Sequence, residues 1–375
     1  MPAAPSHPSF DVVSHNKRAS LRKTVQEQKN ATHVGIEIEI DRVRLTSITR
    51  YHPDLERFEN LGRFEYEIPS IGRINTQTPE SIAHAIERVC DRLPRCTDAR
   101  KAIAAVGLSM DWFRMQTVSG HEIDAIKEQL TNQFSRQGFP GMPSLAFWPV
   151  VGEHHGTPNL DDQYVVFAIP ADTIGMIADG IASQGYHIRS IIPTPVVLAK
   201  SSLRMTGIDS QCVVWVDSTT AWISVIHRSG VGMVRRLPTP EFVPFQGRQQ
   251  SLETTSFSSL TNTSLSALGP YLRDLSESIS ETIDYASRAD MSKPSNRPVL
   301  IAGPLAEIPG FENELASNLE LPVAVWSTIR SSKEASTPAG TSGRNSEVLK
   351  DDCRFATALS LSRFAAIANP AGRTA

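Results

Sequence analysis

Long apolar runs are missing from this sequence. In 375 residues no stretch of about eighteen apolar residues occurs, which leaves no candidate for a membrane-spanning helix. The first thirty residues are polar and hold no apolar core of signal-peptide length, so the expectation is a cytosolic protein. Cysteine is scarce as well. Cys90, Cys96, Cys212 and Cys353 are the four, their spacing fits no zinc pattern, and so few do not make a disulfide scaffold. A reducing compartment follows. No charge of one sign dominates: the net charge of −3 gives no reason to expect nucleic acid as a partner. The Gly-x-Ser-x-Gly and P-loop patterns are absent, and His121, His187 and His227 show no ordering with Asp209-Ser210 that would make a nucleophile. Glu153-His154-His155 with Asp161 and Asp162 can be drawn as a metal cluster. Adjacent histidines on a Gly/Pro-rich loop do not readily bind one ion, and a solvated loop is expected.

What is present is period. His33-Val34-Gly35-Ile36-Glu37-Ile38-Glu39-Ile40-Asp41 alternates apolar and polar residues, as a half-buried strand does, and residues 42–48 follow as its hairpin partner. Ile82, Ala85, Ile86 and Val89 mark a helix over 79–93. A short apolar strand over 102–108 and a helix over 118–134 come next. Residues 137–162 read as loop apart from a short apolar run around Phe147. Strand 164–170, helix 172–183 stopped by Gly185, strand 187–192 and a helix from Pro195 then build an α/β layer. The second half repeats the design, with strands at 212–217, 221–227 and 231–237, a long helix over 265–289, a strand at 299–303 and a helix over 311–319. Pro2, Pro5 and Pro8 precede the basic cluster Lys17, Arg18, Arg22 and Lys23, so residues 1–30 read as a solvated basic arm, with weak attachment to an anionic membrane surface as the alternative. Residues 327–350 are a Ser/Thr/Gly-rich linker, and 351–368 a closing helix.

In order, these segments resemble the PilM family of type IV pilus assembly proteins, within the actin-like ATPase superfamily. Gly35-Ile36-Glu37-Ile38 is similar to the family's opening Gly-Ile-Asp-Ile strand, and Arg236-Leu237-Pro238 to its Arg-x-Pro strand end. Ile283-Asp284-Tyr285 resembles its Leu-Asp-Tyr helix, and Leu300-Ile301-Ala302-Gly303 with Ile308-Pro309-Gly310-Phe311 its Leu-x-Gly-Gly strand and Leu-Pro-Gly-Leu turn. Phe355-Ala356-Thr357-Ala358-Leu359 resembles its closing helix. The resemblance implies a two-lobed actin-like (ribonuclease H-like) α/β fold, each lobe a mixed sheet opened by a β-hairpin with flanking helices. The lobes are expected at 31–205, with an inserted subdomain at about 100–160, and at 206–326. The closing helix is expected to dock on the first lobe.

The nucleotide loops are where the sequence departs from the family. A phosphate hairpin needs glycines so that backbone N–H groups reach the phosphates. Where the family continues Gly-Ser-Ser-Ser, this chain has Glu39-Ile40-Asp41-Arg42. Alternation places Glu37, Glu39 and Asp41 on the face meant for phosphate. One carboxylate about 4 Å from a phosphate charge costs about 4 kcal/mol at an effective dielectric of about 20, roughly a thousandfold in affinity. The family's second Asp-Ile-Gly becomes Trp215-Val216-Asp217, followed by Ser218 and Thr219, with a displaced acidic role for Asp217 as the alternative. Its Gly-Gly becomes Gly303-Pro304, where proline removes an N–H. The three acids of the first hairpin are expected to form the solvated face of an edge hairpin, neutralised by Arg42 or Arg44. The alternative is a site for a cation or a basic peptide.

The expectation is therefore a pseudo-ATPase with no required cofactor, ATP and Mg²⁺ being disfavoured. The resemblance implies a scaffold at the inner face of the inner membrane, in a type IV pilus or type II secretion-like assembly. It would dock the cytoplasmic tail of an inner-membrane assembly protein in the groove beside the inserted region. A link to the motor ATPase and self-association are further implications, and membrane association would run through partners. The contrasting readings are a working ATP-binding actin-like ATPase, and a membrane tether like the division protein FtsA. Against the tether, the closing helix carries only Arg354 and Arg363 as cations.

Overall fold

Strand β1 (His33–Ile38) is buried along its whole length, because it lies in the middle of a sheet and not at its edge. The computed structural model describes residues 32–48, 50–52, 57–59, 62–68, 78–96, 102–120, 122–150, 162–227, 230–240, 265–288, 298–326 and 353–366. The basic arm, the 327–350 linker, Glu153, His154, His155 and Asp161 lie outside these. The chain divides into two compact units, the first of residues 1–149, 159–198 and 357–375, the second of 150–158 and 199–356.

In the first unit β1 pairs antiparallel with β2 (Arg42–Ile48) and parallel with β6 (Ala102–Leu108). With β5 (Gly62–Glu67) and β10 (Tyr186–Pro193) they form a sheet in the order β5-β2-β1-β6-β10. Val34, Ile36 and Ile38 alternate with Gly35 and Glu37, so the apolar side chains share one face. Two short strands, β3 (Arg50–His52) and β4 (Arg57–Glu59), pair with each other between β2 and β5. Helix α1 (Pro79–Arg92) starts at Thr78, whose hydroxyl accepts the Ser81 N–H, and buries Ile82, Ala85, Ile86 and Val89.

The inserted region is a small antiparallel sheet in the order β7-β9-β8, from β7 (Arg114–Ser119), β8 (Pro143–Pro149) and β9 (Gln163–Pro170). Helix α2 (Ile123–Arg136) covers it with Ile126, Leu130 and Phe134, packed with Phe139, Val166 and Ala168. One expectation is corrected here and one is extended. Val118 and Ser119 end a strand rather than opening the helix, since β7 is a polar edge strand whose alternation carries no apolar signal. The short apolar run around Phe147 proves to be the centre of a full strand over residues 143–149, and Pro143 and Pro149 are tolerated because β8 is an edge. Helices α3 (Ala171–Ser183) and α4 (Thr194–Thr206) flank β10 in sequence.

The second unit repeats the main sheet. Strands β11 (Ser210–Val216), β12 (Ala221–His227), β13 (Gly230–Arg236), β14 (Val299–Ala302) and β15 (Val323–Val325) lie in the order β13-β12-β11-β14-β15. Helix α5 (Gly269–Arg288) buries Leu272, Leu275, Ile279 and Ala286, and α6 (Phe311–Leu319) buries Phe311, Leu315 and Leu319. Each sheet is thus a three-strand meander followed by two parallel strands, in identical order.

The last helix, α7 (Ala356–Ala366), returns to the first unit, where Ala358, Leu361 and Ser362 are fully buried. Thr46 donates its hydroxyl to the Ala358 carbonyl at 2.8 Å and lies 3.0 Å from Ser362 Oγ. Arg189 Nη1 donates to the Ala365 carbonyl at 2.9 Å. Among the described residues no helix is long and apolar enough to cross a membrane.

Candidate functional site

The opening hairpin of the first unit turns over two residues. Glu39 N–H donates to Arg42 O at 2.9 Å around Ile40-Asp41, which sets Ile38 opposite Val43 and Glu37 opposite Arg44. Glu37 and Glu39 are each 1% exposed. The Arg44 side chain is fully buried, with Nη1 3.0 Å from Glu39 Oε2 and 3.4 Å from Glu37 Oε2. Its Nε donates to Glu65 Oε1 on β5 at 2.8 Å. Arg42 grips Asp41 with two bonds, at 3.0 and 2.8 Å, and its Nε lies 3.5 Å from Glu39 Oε2.

The solvated face of an edge hairpin, expected from alternation alone, is therefore wrong. Glu37 in β1 and Glu39 just beyond it are taken out of water, Asp41 in the turn keeps partial exposure, and two arginines of β2 meet them there. Charges taken out of water in this way persist only with close opposite charges. The same burial removes the open cation or basic-peptide site, because the cation among these carboxylates is the chain's own guanidinium.

Gly35 also serves a different purpose from the one its motif suggests. A Cβ on it would lie 1.8 Å from Ala358 O and 2.5 Å from Ser362 N. The missing side chain admits the backbone of α7, with Thr46, its partner across the hairpin, bonded to that helix.

In the second unit the corresponding hairpin is trimmed in the same way. Asp217 N–H donates to Thr220 O at 3.0 Å around Ser218-Thr219. The Asp217 carboxylate is wholly buried and accepts the Ser218 N–H at 2.6 Å and the Ser218 hydroxyl at 3.1 Å. Trp215 is core, stacked on its cross-strand partner Trp222 with ring centroids 6.4 Å apart. Behind this turn the Tyr271 hydroxyl is buried without a hydrogen-bond partner. Burial, and secondarily the charge of Asp217, push its phenol well above the usual range. Gly303 has φ of +104°, a Cβ there would lie 2.3 Å from Val216 O, and its N–H donates to Cys353 O at 2.8 Å. Pro304 opens a short turn over Pro304–Glu307, and Glu307 pairs with Arg354.

A nucleotide's phosphates need free amide N–H groups on glycine loops. At Glu39, Asp217, Ser218 and Gly303 these donors are committed to the chain's own carbonyls and carboxylate. Neither hairpin turn contains a glycine or a residue with positive φ. The residues at these three places do not fit a phosphate group. Among the described residues no three His, Cys, Asp or Glu side chains converge to hold a metal ion.

Reading the sequence for motifs passes over Glu65 and Tyr271 and leaves Arg44 as one of two neutralising bases. Counting register back from the two-residue turn would have set Arg44 against Glu37. No sequence signal points to Glu65, because β5 is a polar edge strand without an apolar run.

No protein-family model matches the chain, and no curated protein matches it. Among solved structures, the PilM–PilN type IV pilus biogenesis complex is similar over 90% of this chain and 98% of that one, with a TM-score of 0.58 and 14% identity. The ethanolamine utilization protein EutJ from Carboxydothermus hydrogenoformans is similar over 89% of each chain, with a TM-score of 0.42 and 13% identity. A Bacteroides thetaiotaomicron protein with an actin-like ATPase fold is similar over 82% of this chain and 94% of that one, with a TM-score of 0.40 and 10% identity. Identities this low speak to fold. With the doubled meander-plus-parallel sheets, the likeness to the PilM–PilN structure shows that the chain has an actin-like ATPase fold.

Proposed function

We propose that the protein is a non-catalytic scaffold of a type IV pilus or type II secretion-like assembly. In this role it docks the cytoplasmic tail of an inner-membrane assembly protein and so resides at the inner face of that membrane. The observation that carries the reading is the fate of the phosphate hairpins. Both are closed to two-residue turns, and the first is filled by Arg44 among Glu37, Glu39 and Glu65. A fold that keeps both units while committing its phosphate-binding amides elsewhere is suited to holding partners. The likeness to a pilus biogenesis complex supports that choice of system.

A division-type tether is disfavoured by α7, whose Leu361 and Ser362 are fully buried in the first unit instead of forming a free amphipathic face. Two measurements test the proposal. Isothermal titration with Mg-ATP is expected to show no binding into the millimolar range, and micromolar affinity would overturn the non-catalytic reading. Purified protein mixed with synthetic cytoplasmic tails of the inner-membrane proteins encoded beside it is expected to retain one of them. Retention of none would sink the scaffold assignment.

A further inference from the structure

Strand β7 pairs on one side only. In its antiparallel ladder with β9, Gly120 N–H donates to Asp162 O at 2.9 Å, one step beyond the pairing of Ser119 with Gln163. Bonded and non-bonded pairs alternate along such a ladder, so Arg114, Gln116 and Val118 turn their backbone groups toward β9. Met115, Thr117 and Ser119 turn theirs the other way, to the edge of the sheet. Among the described residues no strand pairs with that edge and no backbone bond reaches it. Thr117 and Ser119 are exposed, and Met115 is half-buried.

Sheet edges are normally blunted by proline, charge, bulges, short length or a covering segment, and the other edges of the three larger sheets follow that rule. Strand β8 carries Pro143 and Pro149. Strand β10 is bulged between Ile188 and Ser190. Val150 bridges β13 at Val231, and β15 runs only over Val323–Val325. Strand β5 alternates Arg63, Glu65 and Glu67 along its length. Strand β7 has none of these devices. Its register is unbroken, it holds no proline, and Met115 to Ser119 are all neutral.

We infer that β7 is a self-pairing edge, which adds antiparallel to β7 of a second copy about a two-fold axis at Thr117. Thr117 then faces its own copy and Met115 faces Ser119, with about six backbone bonds formed from the open row. Threonine opposite threonine is a favourable cross-strand pair. The two Arg114 side chains start about 20 Å apart along the strands, beyond the screening length of about 10 Å. Each Arg114 instead faces the second copy's Gly120, in the row that continues to Asp162, so a cation comes to a carboxylate at both ends. Helix α2 centres its contacts on Leu145 and Phe147 of β8 and on Val166 and Ala168 of β9, away from this edge. The same amides could serve any extended peptide. The symmetry favours a second copy, because centring on Thr117 leaves no charge facing its like. The pairing is independent of which partner the protein carries.

Sedimentation velocity of the full chain at rising concentration tests this, and a monomer–dimer equilibrium is expected. Thr117→Pro removes the N–H at the axis while leaving the β9 side intact, since an edge N–H facing outward is where a strand tolerates proline. It is expected to raise the dimer dissociation constant at least about tenfold. A chain that stays monomeric, or a dimer indifferent to Thr117→Pro, overturns the inference. If Thr117→Pro does not fold, oxidation of Thr117→Cys in a Cys96→Ser background decides. The facing Cα atoms would lie about 5.5 Å apart, within disulfide range. A covalent dimer from Thr117→Cys, with none from the exposed Ser135→Cys on α2, supports the pairing. No dimer, or equal yields from both, refutes it. A monomer whose amides at 115, 117 and 119 gain hydrogen-exchange protection only on adding an extended peptide would give the edge to that peptide and also refute it.

Discussion

Arg44 lies out of reach of solvent, and three carboxylates converge on it. An ion cluster of this kind is a weak source of stability as a whole, yet taking away one member leaves buried charges without a counterion. Arg44→Met is therefore expected to lower the unfolding free energy by about 3–5 kcal/mol, measured by urea denaturation at pH 7. Adding Glu37→Leu and Glu39→Leu to that variant is expected to restore most of the loss. A triple variant no better than Arg44→Met would show that the cluster has a role beyond mutual neutralisation. Tyr271 makes the opposite case. Its hydroxyl has lost water and found no partner, so Tyr271→Phe should leave stability unchanged or raise it by about 1 kcal/mol. A clear loss in the same assay would mean that the hydroxyl is bonded in solution.

At the scale of elements, Gly35 joins β1 to α7. A methyl group there would overlap the Ala358 carbonyl and the Ser362 N–H, both backbone atoms that cannot rotate away. Gly35→Ala is expected to cost about 3 kcal/mol and to lower the thermal midpoint, with nucleotide present or absent making no difference. Little change would mean that in solution the helix stands off the strand. The same residue marks what the sequence made legible. Its motif located β1, and alternation separated Val34, Ile36 and Ile38 from Gly35 and Glu37. The burial of the second set stayed hidden, because alternation gives a face but not what covers it. Two partners more than 300 residues away, Ala358 and Ser362, cover Gly35, and Arg44 meets Glu37. Apolar strands such as β6, β9 and β11 were legible from composition. The polar edge strands β5 and β7 were not, since an edge strand needs fewer apolar residues to hold its place. At the second hairpin the sequence showed that Trp215-Val216-Asp217 had lost its glycine. It did not show that Asp217 would be engaged by Ser218, which is a consequence of the tight turn.

On the scale of the whole chain, continuity and compactness do not coincide. The first unit is assembled from early residues, a middle stretch and the last segment, whereas the second is nearly continuous over 199–356. Truncation of residues 357–375 therefore acts on the first unit. Residues 357–365 are almost wholly buried there, between them covering Gly35 and Gly107 and accepting the bonds from Thr46 and Arg189. Removing them uncovers the face of β1, β2 and β6 that carries Glu37, Arg44 and Thr46, and leaves those polar groups beside an empty groove. The loss of several fully buried side chains, at about 1.5–3 kcal/mol for each large apolar one, approaches the whole stability of a domain. A chain ending at Ala356, which keeps Cys353 on Gly303 and Arg354 on Glu307, is thus expected to lose hydrogen-exchange protection over 33–48 and 102–108. Strands 210–216 and 221–227, whose buried partners within the second unit include Val299–Ala302 and α5, should keep theirs. Equal loss in both sets of strands would mean that the units unfold as one, and equal retention would mean that α7 is dispensable to the sheet on which it lies.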